Sequence, residues 1–224
     1  SHGFASNTND TRRYARVFAK AGYAAVYFDF CGSGRSKSDG CSTDMSMLTE
    51  KEDLSAVLDA VRSLDFVDAS QIILAGCSQG GLVSALLAAE READVAKLIL
   101  YFPGFCIPDD ARRGKMLNAR FDPEHVPETF RTVLFIKLGA TYALTAQKLD
   151  PYREIQTYQK PVFICHGTAD RVVNLSYAQR AQREYPNAKL EIIQGGDHGF
   201  IFHGFKAAMR ATMEFLAKSA GSSA

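Results

Sequence analysis

No uninterrupted apolar run in these 224 residues reaches the ~18 that a membrane-spanning helix needs. Neither sign of charge is in excess: 26 Lys and Arg stand against 25 Asp and Glu, a formal net charge of +1. That balance leaves no electrostatic footprint for nucleic acid and no basic cluster for an anionic membrane, so neither is expected as a partner. Cysteine is sparse, and Cys31, Cys41, Cys77, Cys106 and Cys165 include no C-x-x-C pair. An odd count without metal-type spacing argues against both a disulfide framework and a structural zinc site. Cys77 and Cys165 sit in or beside apolar runs, where a free cysteine behaves as a small hydrophobe. A reducing compartment, the cytoplasm, is the expectation. The chain opens on Ser1 and not on methionine, which leaves a removed leader open. No internal repeat, P-loop, H-E-x-x-H or EF-hand pattern occurs. Only residues 219–224 have linker composition, and they are expected to form a flexible tail.

What is present is alternation. Residues 24–30, 71–75, 97–102, 162–166 and 189–194 are short, rich in Val, Ile, Leu and aromatics, and bounded by Gly, Asp or Pro, which predicts strands. Helical stretches lie between them at 8–21, 50–64, 79–91 and 175–185, and another at 200–218 follows the last strand. Leu54, Val57, Leu58, Val61 and Leu64 give the 3/4 spacing of a buried stripe. Short apolar runs alternating with helices are the signature of an α/β fold, a mostly parallel sheet covered by helices on both faces. Residues 104–159 break the pattern: they carry Pro108, Pro123, Pro127 and Pro151, several aromatics and no convincing strand. So long an excursion inside one domain is expected to be functional. It reads as a cap inserted into a core made of residues 1–103 and 160–218.

Gly76-Cys77-Ser78-Gln79-Gly80 matches G-x-S-x-G. A nucleophile elbow needs a strand before it and a helix after it, because the turn is too tight for a Cβ on its flanks. Residues 71–75 and 79–89 supply that context. The bland alternative is a Gly-rich turn whose Ser78 only caps the helix. A serine hydroxyl at neutral pH needs a base to remove its proton. In chain order Ser, acid, His, the candidates are Asp170 in His166-Gly167-Thr168-Ala169-Asp170 and His198 in Gly195-Gly196-Asp197-His198-Gly199. Both follow predicted strands, at the end where open parallel sheets place their ligand sites. Asp197 competes for the acid role but reads better as a turn former, since a sequence neighbour rarely reaches the far side of the ring. His203, the rival base, reads as packing within the final helix, and His166 as a brace for the Asp170 loop. His125 reads as a surface or supporting residue of the cap. His2-Gly3-Phe4 stands about 75 residues before the serine. Its Phe4 amide, with that of Gln79, is the candidate oxyanion hole. Gly32-Ser33-Gly34 is too weak for a dinucleotide fingerprint, because a polar loop at 36–43 follows it where a helix should open.

These motifs resemble the α/β-hydrolase superfamily, and among it the bacterial cinnamoyl (feruloyl) esterases. The matching stretches are His2-Gly3-Phe4, Phe28-Asp29-Phe30 with its Gly-rich loop, residues 76–81, residues 121–127 (Phe-Asp-Pro-Glu-His-Val-Pro), Lys160-Pro161, residues 166–170 and Gly196-Asp197-His198. The resemblance implies hydrolysis of hydroxycinnamate esters without a cofactor or metal. It implies Ser78, Asp170 and His198 as triad, the Phe4 and Gln79 amides as oxyanion hole, and the cap closing over the aromatic acid. Aromatic cap residues, among them Phe105, Phe121, Phe135 and Tyr142, are the candidate substrate contacts. The expected partner is a small-molecule ester. A thioesterase, lipase-like enzyme or peptidase with the same triad stays open, as does a binding protein on the same scaffold. Two departures stand out. The family often has His where this chain has Cys77, for which altered packing is expected. In that fold, moreover, a strand feeds His-Gly-Phe from mid-sheet, between residues 24–30 and 71–75. That strand would precede Ser1, so the 224 residues are expected to be an incomplete version of a longer protein.

Overall fold

Leu98 and Leu100 pack into one apolar cluster while Ile99 and Tyr101 pack into another, and the same split separates Val162 and Ile164 from Phe163 and Cys165. Successive side chains of a strand point to opposite faces, so these runs are strands buried on both sides. The computed structural model describes residues 1–33 and 38–220. Four strands, β1 (Ile73–Cys77), β2 (Lys97–Tyr101), β7 (Val162–Gly167) and β8 (Ala188–Ile193), form a parallel sheet in the order β1-β2-β7-β8. Two further pairs, β3 (Lys115–Met116) with β4 (Ala119–Arg120) and β5 (Thr129–Arg131) with β6 (Lys137–Gly139), are short antiparallel hairpins.

Eight helices surround the sheet among the described residues: α1 (Thr8–Lys20), α2 (Met47–Arg62), α3 (Gln79–Glu90), α4 (Ile107–Arg112), α5 (Ala140–Lys148), α6 (Pro151–Glu154), α7 (Leu175–Glu184) and α8 (Phe205–Ala220). None of them is long and apolar enough to cross a membrane. Leu54 and Leu58 of α2 and Leu82 and Leu86 of α3 join the cluster of Leu98. Tyr14 of α1 and Ala208 and Met209 of α8 join the cluster of Ile99. The sheet therefore carries helices on both faces. Asn7 starts α1 by accepting from the Asn9 amide, and Ser46 starts α2 with a reciprocal capping box to Thr49.

Three expectations need correction. Residues 24–30 form no strand, and a cavity of about 350 Å³ lined by residues 24–28 and by Ile73, Leu74, Ala75 and Cys77 lies between them and β1. A ladder needs a neighbour's N–H and C=O groups within reach, whatever the β propensity of the segment. The Ser1 backbone takes up part of the β1 edge instead, its amino group donating to Ala75 O at 2.7 Å and its carbonyl accepting from Cys77 N at 3.1 Å. Secondly, residues 104–159 do contain strands, the two hairpins, each too short to display an alternating pattern. Thirdly, the last helix begins at Phe205, not at 200, and continues to Ala220. Asp197 accepts from the amides of Ile201, Phe202 and His203 and holds them in a separate turn. Gly34 and Ser36 of the polar loop, and residues 221–224 of the expected tail, lie outside the described residues. The five cysteines are free.

Candidate active site

Ser78 stands between β1 and α3 with φ +52° and ψ −120°, a conformation most side chains avoid. The turn closes because its flanks are bare. A Cβ on Gly76 would lie 2.2 Å from Gly80 O, and one on Gly80 would lie 2.2 Å from His2 O. Gly80→Ala is therefore expected to destabilise the fold by about 1–3 kcal/mol through overpacking against backbone. The loss is read as a lower urea midpoint. The Ser78 side chain makes no cap bond to α3. Its hydroxyl instead lies 3.1 Å from His198 Nε2.

His198 Nδ1 lies 2.8 Å from Asp170 Oδ2. A carboxylate can only accept, so Nδ1 carries the proton and Nε2 is free to accept from the serine. The other Asp170 oxygen accepts from the amides of Val172 and Val173 at 2.8 and 2.9 Å. Burial works against the ionised form of Asp170. Hydrogen bonds from His166, His198 and Val173 outweigh it and hold the carboxyl well below the usual carboxylate range. His166, fully buried, presents Nε2 to Val173 O at 3.0 Å and to Asp170 Oδ2 at 3.3 Å. It braces the Asp170 loop.

The loop of His2-Gly3-Phe4 runs beside the serine. A Cβ on Gly3 would sit 3.0 Å from Ser78 Cβ and 3.6 Å from Ser78 Oγ. His2 is buried, its Nε2 accepting from Phe30 N at 3.1 Å while Nδ1 faces Gly3 O at 2.8 Å. Burial lowers its pKa, so a neutral ring fixes the loop to residue 30. Gln79 is the first residue of α3, where an amide has no intrahelical acceptor, and the Phe4 amide meets no acceptor among the described residues.

The cap aromatics are not gathered in one place. Phe105 and Tyr142 are buried in the main apolar cluster, with Phe121 half-buried against it. Phe105 stacks on Tyr152 with ring centroids 5.3 Å apart, and Phe121 lies 5.1 Å from Phe130. Phe135 is 84% exposed at the tip between β5 and β6. His125 is exposed and pairs with Asp122 at 2.8 Å, and His203 is exposed beyond the His198 turn. Burial pushes the Cys77 thiol up to about 11, which keeps it protonated and inert.

Three supporting residues escaped the sequence reading. Phe102, held at φ +38°, packs edge-on against the His198 ring, centroids 4.8 Å apart. Arg13 on α1 donates to Gly199 O and, at 3.1 Å, to Phe200 O, clamping the turn that carries His198. Glu50 on α2 accepts from the Gln79 side chain at 2.8 Å. No local motif marks any of them, since each acts on a residue far away in sequence.

Comparison with known proteins follows the same lines. Residues 1–131 match the family described as serine aminopeptidase, S33. Est1E from Butyrivibrio proteoclasticus, solved with ferulic acid bound, superposes with a TM-score of 0.92 at 32% identity, covering 98% of this chain and 87% of that one. A second Est1E structure gives 0.88 at 29% identity, covering 98% and 86%. Metagenome-derived lipolytic enzymes, LipS and LipT, share the fold alone, at 16% identity, a TM-score of 0.76 and coverage of 97% and 91%. The RutD protein of Caulobacter sp. (strain K31) is 28% identical over 142 residues, 60% of this chain. The chain spans about half the length of that curated relative, 49%. The S33 match takes in 131 of the 224 residues, and the chain belongs to this α/β-hydrolase family.

Proposed function

We propose that the chain is a serine carboxylic-ester hydrolase acting through an acyl-enzyme, with hydroxycinnamate esters as its substrates. One observation carries the reading: the unbroken relay from Ser78 Oγ through His198 to Asp170, with contacts of 3.1 and 2.8 Å. Ser78 attacks the ester carbonyl while His198 Nε2 takes its proton, and Asp170 stabilises the imidazolium that forms. The amides of Phe4 and Gln79 receive the charge that develops on the carbonyl oxygen. His198 then returns the proton to the departing alcohol and activates the water that releases the acid.

The acyl preference rests on the likeness to Est1E, whose structure holds ferulic acid. The same triad would serve a thioester or a peptide. A substrate panel decides between them: methyl ferulate, a short-chain nitrophenyl ester and an acyl-CoA, each with Ser78→Ala as the blank. Methyl ferulate is expected to give the highest kcat/KM by at least about tenfold, the discrimination that ~1.4 kcal/mol of differential binding supplies. An acyl-CoA turned over fastest would move the assignment to a thioesterase.

A further inference from the structure

Glu50 is 1% exposed and no Lys, Arg or His pairs with its carboxyl group among the described residues, the Ser1 amino group being the positive charge that acts on it. Lys51, next in the chain, turns away to Glu90. Burying an unpaired carboxylate is costly, so such a group stays neutral unless something compensates it. The carboxyl has one hydrogen-bonding partner among the described residues: Oε1 accepts from Gln79 Nε2 at 2.8 Å, while Oε2 is buried without one. Gln79, also 1% exposed, accepts on its own Oε1 from the Tyr142 hydroxyl. The chain Tyr142–Gln79–Glu50 thus ties α5 and α2 to the residue that follows Ser78. Both ends of the Gln79 amide are held, which fixes the side chain and, through it, the peptide whose N–H begins α3.

We propose that Glu50 is a positioning residue, a neutral acid that anchors Gln79 as oxyanion donor and whose ionisation shuts the site down on the alkaline side. The inference rests on the esterase reading. Burial pushes the Glu50 carboxyl up to about 8, against the opposing effects of the Gln79 hydrogen bond and the Ser1 amino group. The groups that face it are few. Asp53, on α2 itself, raises its pKa further, and α3 presents the uncharged Gln79. From α5 comes Tyr142, whose hydroxyl is held well above its ordinary range by burial and so stays protonated. Below about pH 8 the cluster is neutral. Above it a negative charge appears beside the donor meant for a second negative charge, the substrate oxyanion, and in a dry cluster that repulsion is weakly screened.

The test is the pH dependence of kcat on methyl ferulate from pH 6 to 10, for the wild type and Glu50→Gln, with Ser78→Ala as blank. Glutamine keeps the carbonyl acceptor but cannot ionise. Wild-type kcat is expected to fall as pH rises through about 8, and the variant to lack that limb. The ratio of variant to wild type should then climb about thirtyfold between pH 7 and pH 9.5, as the neutral fraction of a group titrating near 8 falls. Tyr142→Phe, which frees the other end of Gln79, is expected to lower kcat several-fold with little change in KM while keeping the limb. A second readout needs no variant: carbon-13 NMR of labelled glutamate should find one carboxyl titrating near 8. Superimposable profiles for wild type and Glu50→Gln, or glutamates that all titrate near 4.5, overturn the proposal and leave the esterase standing. Loss of all Ser78-dependent turnover would overturn the esterase reading and this one with it.

Discussion

Asp170→Asn is expected to lower kcat by about 10⁴-fold while leaving KM within a few-fold of wild type. The geometry dictates which way the new amide must lie. Asp170 Oδ1 accepts from two backbone N–H groups, those of Val172 and Val173. An asparagine must keep its carbonyl there, so its NH₂ turns toward His198 Nδ1, the position now held by Oδ2. Facing a donor, Nδ1 becomes the acceptor and the ring proton moves to Nε2. The imidazole then meets the Ser78 hydroxyl with a proton already in place and cannot take another. The same substitution changes the pH dependence of stability. The native carboxyl is held well below its ordinary 3.8, so its contribution is fully present above that value and is lost as pH falls through the acid range. The variant should therefore melt lower than wild type at pH 7, with a smaller further loss between pH 5 and 2. A variant that retains more than about a tenth of wild-type kcat would remove Asp170 from the relay.

Which parts of this arrangement could be read from sequence follows from how local each is. Strands β2 and β7 are buried on both faces, so Leu98 to Tyr101 and Val162 to Cys165 appear as unbroken apolar runs that a surface segment would not keep. The elbow is legible for a related reason: Gly76 is demanded by Gly80 O, four residues on, although what demands Gly80 is the distant His2 carbonyl. Residues 24–30 have the composition of a strand, but a strand is a property of a pair, and the segment alone cannot show that a cavity borders it. Glu50 was hidden by its position. An acid in the first turn of a helix ordinarily complements the helix dipole and faces water, and only the fold turns this one inward to Gln79. Arg13 and Phe102 reach the His198 turn across 187 and 96 positions of chain respectively, beyond the range of any local pattern. The start of α8 shifted because Asp197 takes three amides into a turn of its own, a choice decided by one carboxylate and not by periodicity.

Ser78→Ala is expected to cost about 10⁶-fold in kcat, the scale on which removal of an activated serine leaves only binding and the oxyanion hole at work. The fold should tolerate the change. Alanine keeps the Cβ, so the positive φ is no more strained than it is for serine, and the serine side chain makes no helix-cap bond that would be lost. His198 keeps its bond to Asp170, and Gly104 N keeps its 2.8 Å bond to the backbone carbonyl of residue 78. Melting temperature should stay within a few degrees of wild type, and methyl ferulate should still bind. That combination separates the competing roles of the residue. A cap would show itself as lost stability with retained turnover, since capping hydroxyls contribute about 1 kcal/mol and take no part in chemistry. A binding protein on this scaffold would show no turnover in either form. Only a nucleophile predicts an intact, ligand-binding, inert protein, and a phosphonate probe that labels the wild type but not the variant would place the bond on Ser78 Oγ.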